Sequence, residues 1–248
     1  MKYSIQAYKN GECVLKGKSA FKDYDPDGDY AFFLYVYVVK NGDRNIVIDT
    51  GPKDLVKMNE MVRHILVEPI VQQPDERTES IIHRSGLEFD EVDAVFITHF
   101  HYDHCSNVDL FPNAEIVVSK RGFEAATDTE REKPIDADKE FIDYLLEVRD
   151  RVVPVEEGEI IPGITTFWAG GHTISSQAYV VDSAKGSVVF ASDSIFLYKN
   201  LELGIPIGVG RKVKERIWSM NKLKNAGDIL LPGHDPEIME RFPGGIIA

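Results

Sequence analysis

The sequence is poor in cysteine and has no long apolar run. Two cysteines, Cys13 and Cys105, in 248 residues are too few for a disulfide framework. No apolar run approaches the roughly 20 residues that a membrane-spanning helix needs. The first ten residues lack the apolar core of a secretory signal peptide. We therefore expect a cytoplasmic protein with no membrane partner.

Basic residues are also in the minority. The formal net charge is −13, whereas binding to nucleic acid requires a basic surface, so a nucleic-acid partner is not expected. The hydrophobic content of 43% and charged content of 28% are ordinary for a globular protein. A chain of this length can bury a large core without disulfides, and we expect a single domain over residues 1–248.

Metal-binding side chains are concentrated directly after the apolar residues 93–98, which are predicted to form a buried strand. Imidazole and carboxylate groups are common ligands of divalent metal ions. Neighbouring side chains in extended backbone diverge, so these groups cannot all reach one ion. The spacing therefore predicts two adjacent metal ions at the loop that contains His99, His101, Asp103 and His104.

Three further candidate ligands follow predicted strands later in the chain. A catalytic ion takes about three protein ligands, so one loop cannot supply enough of them. His172 follows two glycines, Asp193 follows the apolar residues 188–191, and His234 follows residues 229–233. The repeated order of strands, ligand loop and helix predicts two similar halves that close one site.

Several polar and apolar segments allow two interpretations. Asp49, at the end of a predicted strand, could orient a metal-binding histidine or cap a turn. Met61 and Leu66 could belong to a lid over an apolar substrate or to the core. Residues 127–138 are densely charged, which predicts a solvated insertion. The turn residues 10–11 predict an edge hairpin.

Residues 212–224 have the apolar spacing of an amphipathic helix. We expect its inward face to carry Val213, Ile217, Met220 and Leu223.

The motif H-x-H-x-D-H and the later ligands resemble the metallo-β-lactamase superfamily, with matching motifs over roughly residues 30 to 240. The resemblance implies an α/β fold, a four-layer αββα sandwich, with the site where the two sheets meet. It assigns His99, His101 and His172 to one ion. It assigns Asp103, His104 and His234 to the other, and makes Asp193 the bridging ligand.

Within this superfamily the sequence is most similar to the group of N-acyl homoserine lactonases and pyridoxolactonases. The similarity lies in residues 111–116, 162–164 and 231–236. Those lactonases usually carry a tyrosine three residues after the bridging aspartate, where this chain has Phe196. Tyr198 is the candidate to replace the hydroxyl group that helps to hold the substrate carbonyl.

The resemblance implies a hydrolase that opens a lactone with a hydroxide held by two divalent ions. Zinc is the expected metal, and iron, manganese and cobalt are alternatives. Asp103 is predicted to carry the proton to the leaving oxygen. The predicted contacts of an apolar substrate group are Phe196, Tyr198, Met61 and Leu66.

Three other functions remain open at this stage. They are a glyoxalase-like thioesterase, an iron-dependent persulfide dioxygenase and a non-catalytic metal-binding module. A homodimer is the oligomeric state that we consider for this protein.

Overall fold

The computed structural model describes residues 1–133 and 135–248, and these contain twelve strands and nine α-helices. The strands are β1 (Ser4–Lys16), β2 (Asp29–Lys40), β3 (Asn45–Ile48), β4 (Leu66–Val71), β5 (Ala94–Phe96), β6 (Glu115–Ser119), β7 (Val152–Val155), β8 (Gly158–Ile161), β9 (Ile164–Trp168), β10 (Gln177–Ser183), β11 (Gly186–Ser192) and β12 (Ile229–Pro232). The helices are α1 (Gly17–Ala20), α2 (Leu55–Val62), α3 (Thr78–Arg84), α4 (Tyr102–Cys105), α5 (Lys120–Thr127), α6 (Lys139–Glu147), α7 (Tyr198–Leu203), α8 (Val213–Leu223) and α9 (Glu237–Arg241). None of these helices has both the length and the apolar character needed to cross a bilayer.

The strands form two mixed sheets. The first has the order β4-β1-β2-β3-β5-β6-β7, and its strands β3, β5, β6 and β7 run parallel. The second has the order β12-β11-β10-β9-β8, in which β11 and β12 are parallel and β10 is antiparallel to both neighbours. Strands β9, β11 and β12 therefore point the same way, and their carboxyl ends lie on one edge.

The two sheets pack face to face because alternate side chains of one strand point to opposite faces. In β2, Tyr35 and Tyr37 join the core between the sheets, whereas Val36 and Val38 pack under the helices on the outer face. Phe141 and Leu145 of α6 cover the first sheet in this way. Helix α8 covers the outer face of the second sheet. The predicted four-layer αββα sandwich is confirmed.

The predicted hairpin at residues 10–11 is wrong. The chain continues through this turn as the single strand β1, and the pairing register with β2 shifts between Lys9 and Gly11. Gly11 has a φ of +134°, a conformation that glycine adopts without strain. A bulge therefore stands where the turn was expected, and residues beyond it in β1 pair with β4 on the other side of the strand.

The predicted inward face of α8 is also wrong in part. Val213 and Ile217 are 36% and 41% exposed, while Met220 and Leu223 are buried as expected. The helix is rotated so that two polar residues, Arg216 and Ser219, are buried instead.

Candidate metal centre

The predicted ligands lie on loops at the carboxyl ends of strands from both sheets. His99 and His101 follow β5, and α4 begins directly after them. Asp103 and His104 lie in α4 itself. The loop after β9 bears His172, the segment after β11 bears Asp193, and the segment after β12 bears His234. Because these strand ends face one another across the sandwich, residues more than 130 positions apart meet in one place. The ligand atoms form two groups, one of His99, His101, His172 and Asp193, the other of Asp103, His104 and His234.

In the first group, nitrogen atoms of His99 and His172 face one oxygen of Asp193, and His101 lies beside His172. His172 Nε2 lies 3.0 Å from His101 Nδ1 and 3.4 Å from Asp193 Oδ2. His99 Nε2 lies 3.7 Å from the same Oδ2 atom. Two ligands of a tetrahedral zinc ion are separated by about 3.3 Å when each lies about 2.0 Å from the metal. These separations are close to that value.

The second group surrounds the other oxygen of Asp193. Asp193 Oδ1 lies 3.3 Å from His104 Nε2 and 3.0 Å from His234 Nε2. Asp103 Oδ2 lies 3.3 Å from His104 Nε2 and 3.9 Å from His234 Nε2. The two oxygens of one carboxylate thus face two separate sets of donors, which is the geometry of a bridging ligand.

The hydrogen bonding of the group also fits metal ions. His99 Nε2, His104 Nε2 and Asp193 Oδ1 are buried atoms without a hydrogen-bond partner among the described residues. Buried polar atoms in proteins are normally paired, and the unpaired ones call for an explanation. Here they all point to the shared centre, where imidazole and carboxylate groups suit divalent transition metals.

Burial and charge act differently on two pairs of imidazoles. Burial lowers the pKa of His99 well below its usual value and that of His172 to about 3, so both are neutral and can bind a metal. Burial also acts to lower the pKa of His104 and His234, but the adjacent carboxylates outweigh it and raise both values. Without metal, His104 and His234 therefore retain protons to higher pH.

The outer nitrogen atoms of two imidazoles are held by hydrogen bonds. His104 Nδ1 lies 2.8 Å from Asp49 Oδ2, and His234 Nδ1 lies 2.9 Å from the Phe33 carbonyl oxygen. An acceptor at Nδ1 keeps the proton there and leaves the Nε2 lone pair for the metal. Of the two interpretations of Asp49, the structure confirms the one in which it orients a histidine.

The prediction of a solvated insertion over 127–138 is wrong at its carboxyl end; within that range, Pro134 lies outside the described residues. Asp136 Oδ2 lies 3.2 Å from His101 Nε2, and the contact lowers the pKa of the Asp136 carboxyl. Asp138 is buried, and its backbone N–H donates to the Phe100 carbonyl oxygen at 2.6 Å. This segment therefore reaches the metal loop. Its charge density alone did not indicate that contact.

Two phenylalanine rings border the centre on one side. The ring of Phe196 lies 5.6 Å from the rings of both His172 and His234, measured between centroids. Phe32 stacks on His234 at 5.4 Å and contacts Phe196 at 5.3 Å. Sequence reasoning found Phe196 but missed Phe32, which belongs to a long apolar run that gives no local sign of a site.

The other predicted substrate contacts fare differently. Leu66 packs against the apolar cluster that contains Phe196. Met61 is 49% exposed on α2 and is not among the residues packed in that cluster. Tyr198 is buried in the core between the sheets, where its hydroxyl donates to the Leu230 carbonyl oxygen at 3.0 Å. Because that hydroxyl is engaged away from the imidazoles, Tyr198 does not replace the tyrosine that is absent at position 196.

A comparison with protein families agrees with this geometry. The model of the metallo-beta-lactamase superfamily matches residues 30–234, which include all the candidate ligands. The chain belongs to this superfamily.

Its relatives include several lactonases. AiiA, an N-acyl homoserine lactonase of Bacillus thuringiensis subsp. kurstaki, is 25% identical over 236 residues, covering 92% of this chain and 91% of the relative. A solved N-acyl homoserine lactone hydrolase, with the product N-hexanoyl-L-homoserine at its catalytic metal centre, aligns with a TM-score of 0.79, 24% identity and coverage of 98% of this chain and 99% of that one. AidC, a dizinc quorum-quenching lactonase, aligns at 0.67 with 15% identity, covering 98% and 89%. The two structural matches show the shared fold.

Proposed function

We propose that this chain is a single hydrolase domain over residues 1–248 that opens a lactone ring with the help of two divalent metal ions. Zinc is the metal that we propose for both positions. The observation that carries the proposal is Asp193, whose two oxygens face separate sets of donors at 3.0 to 3.7 Å. The relatives that match most of the chain are N-acyl homoserine lactonases.

The described residues supply a complete set of ligands for two ions. When bound, such ions would polarise the ester carbonyl and lower the pKa of a bound water towards neutrality. The first ion would be held by His101 and the two neutral imidazoles, His99 and His172. The second would be held by Asp103, His104 and His234. Bridging by Asp193 keeps the two groups adjacent.

Asp103 is the residue that we assign to proton transfer. Its side chain is 16% exposed, compared with 7% for that of Asp193, so it is the more accessible of the two carboxylates. Among the ligands that the structure describes, it faces those of the second group, His104 and His234. A carboxylate in this place can accept a proton from the attacking water and donate it to the ring oxygen that leaves.

The apolar part of the substrate lies, in this proposal, along Phe196, Phe32 and Leu66. These residues form one cluster, and the two rings border the imidazoles. Phe196 carries no hydroxyl to hold an acyl carbonyl. We therefore expect weaker selection for N-acyl homoserine lactones than in a lactonase with tyrosine in this place. Phe196→Tyr should raise kcat/KM for these substrates roughly fivefold, the effect of about one hydrogen bond, without raising it for lactones that lack the amide.

The decisive experiment measures ring opening of a lactone panel by the zinc-loaded protein. We expect turnover that is abolished by chelation and reduced on the order of 100-fold in His101→Ala. His83→Ala is the matched control, since His83 is exposed and lies 3.4 Å from Glu88 on the surface. A loaded protein that opens no lactone would refute the proposed function.

Metal analysis and two activity assays distinguish the lactonase from the other candidate enzymes. Bound iron with oxygen uptake would favour a persulfide dioxygenase, and turnover of glutathione thioesters would favour a glyoxalase-like enzyme. Homodimer formation stays a prediction, and light scattering tests it.

A further inference from the structure

A buried arginine on α8 binds backbone near the metal centre. Arg216 is 6% exposed, and its Nη1 donates to the carbonyl oxygens of Ile207 at 2.5 Å and Val209 at 3.2 Å. Its Nε has no hydrogen-bond partner among the described residues. The adjacent carboxylate, Glu215, pairs with Arg211 instead. Burying a charge is costly unless hydrogen bonds compensate for it. In the described part of the chain, these two carbonyls are the acceptors of Arg216.

Both carbonyls belong to residues 205–211, which we call the covering segment; it connects α7 to α8. One side of the segment packs on α1, where the Gly208 N–H donates to the Ser19 carbonyl oxygen at 2.9 Å. A Cβ atom on Gly208 would lie 1.9 Å from the Lys18 carbonyl oxygen, so the two backbones are in close contact. The segment therefore has no room to shift towards α1.

The other end of the covering segment reaches the metal loop. The Arg211 N–H donates to the Gly171 carbonyl oxygen at 2.8 Å. A Cβ atom on Gly210 would lie 2.9 Å from His172 Cα. The segment thus spans the distance between α1 and a predicted ligand.

The covering segment also contributes to the apolar side of the centre. Ile207 is fully buried and belongs to the same cluster as Phe32 and Phe196, the rings that border His172 and His234. Protein interiors are close-packed, so a shift of the Ile207 backbone changes the space beside these rings. Arg216 binds that backbone directly.

Adjacent residues of α8 hold different parts of this region. Glu215 Oε1 accepts from the Gly171 N–H at 3.1 Å and therefore holds the loop that carries His172. The hydrogen bonds of Arg216 to residues that the structure describes go to the covering segment. A substitution of Arg216 thus loosens the covering segment and the apolar wall, while Glu215 still accepts the hydrogen bond from the Gly171 N–H.

We propose that Arg216 is a positioning residue that holds the covering segment as a wall of the metal cleft and so determines the length of the apolar substrate group that the cleft accepts. The inference rests on the proposed function. Arg216 acts through Ile207 and does not touch the substrate.

The test compares Arg216→Met with Arg216→Lys, which retains a charged donor. Arg149→Met is the control, because Arg149 is exposed on the surface. Zinc-loaded proteins are assayed with an unsubstituted lactone and with lactones of short, medium and long acyl chains. We expect Arg216→Met to raise KM for the long-chain substrate about tenfold, the effect of one hydrogen bond from a charged donor. The unsubstituted lactone should change less than about twofold. In Arg216→Lys, the KM for the long-chain substrate should return most of the way to the wild-type value.

Two further measurements separate a positioning role from general damage. Ile207→Ala should change the chain-length preference in the same direction, and its combination with Arg216→Met should be non-additive, since both act on one wall. If Arg216→Met does not fold, Arg216→Lys and Ile207→Ala carry the test. Amide hydrogen exchange should be faster over residues 205–211 in Arg216→Met and unchanged over residues 94–106.

The outcomes distinguish this inference from the proposed function. An unchanged chain-length preference in Arg216→Met with normal zinc content, or unchanged exchange over residues 205–211, overturns the inference and leaves the lactonase proposal in place. Failure of the zinc-loaded wild type to open any lactone overturns the proposed function, and the substrate role of Arg216 falls with it.

Discussion

Asp49 offers the sharpest test of how the metal centre is organised. The residue is buried, and its φ of +59° lies in the left-handed region. Oδ1 accepts from the Thr98 N–H at 2.8 Å. Oδ2 accepts from the Thr98 hydroxyl at 2.8 Å and lies 2.8 Å from His104 Nδ1. Asp49→Asn keeps the volume of the side chain, and asparagine tolerates a positive φ.

The substitution replaces one of the two acceptor oxygens by an NH2 group. If the remaining oxygen stays on the Thr98 N–H, the amide donor faces His104 Nδ1–H, and the imidazole must turn or change its tautomer. Loss of such a partner typically weakens metal binding 10- to 100-fold, or about 1.4 to 2.7 kcal/mol. We expect this loss at the ion held by His104. The free energy of unfolding of the metal-free protein should fall by about 1 to 3 kcal/mol.

The assay is a zinc titration against a chromophoric chelator, which resolves two affinities, together with urea unfolding in EDTA. Asp54→Asn is the matched control, because Asp54 caps α2 through its side chain and asparagine caps helices equally well. Two zinc affinities equal to those of the wild type in Asp49→Asn would show that His104 does not depend on Asp49.

Other predictions follow from the same contacts. The raised pKa values of His104 and His234 mean that zinc must displace protons, so its apparent affinity should fall as pH is lowered and calorimetry in different buffers should detect proton release. Tyr198→Phe should lower the free energy of unfolding by about 1 kcal/mol and leave kcat/KM unchanged. A large loss of activity would show that the Tyr198 hydroxyl acts in catalysis or substrate binding. Asp136→Asn should weaken zinc binding by less than Asp49→Asn does, since the Asp136 carboxylate is exposed to solvent and screened. Equal losses in the two titrations would contradict this ranking.

Much of the site could be predicted from local sequence. His99 to His104 form a dense motif after an apolar strand, and the later ligands each follow a strand of their own. Strand alternation and apolar runs are signals that act over a few residues, so they predicted single elements such as the strand within residues 93–98, whereas the four layers were implied by the family resemblance. The structure brings all seven candidate ligands together in the two groups that the resemblance implies.

Tertiary structure decided the contacts between residues that are distant in sequence. Phe32 reaches His234 only because β2 lies beside the end of β12. The Tyr198 hydroxyl is directed to Leu230 by the start of α7, a direction that no spacing reveals. Arg216 is buried where α8 packs, and its guanidinium donates to the carbonyls of Ile207 and Val209, which no helical spacing indicates. Local pattern determines which residues can bind a metal, while the partners of each side chain depend on how the two sheets and their loops meet in space.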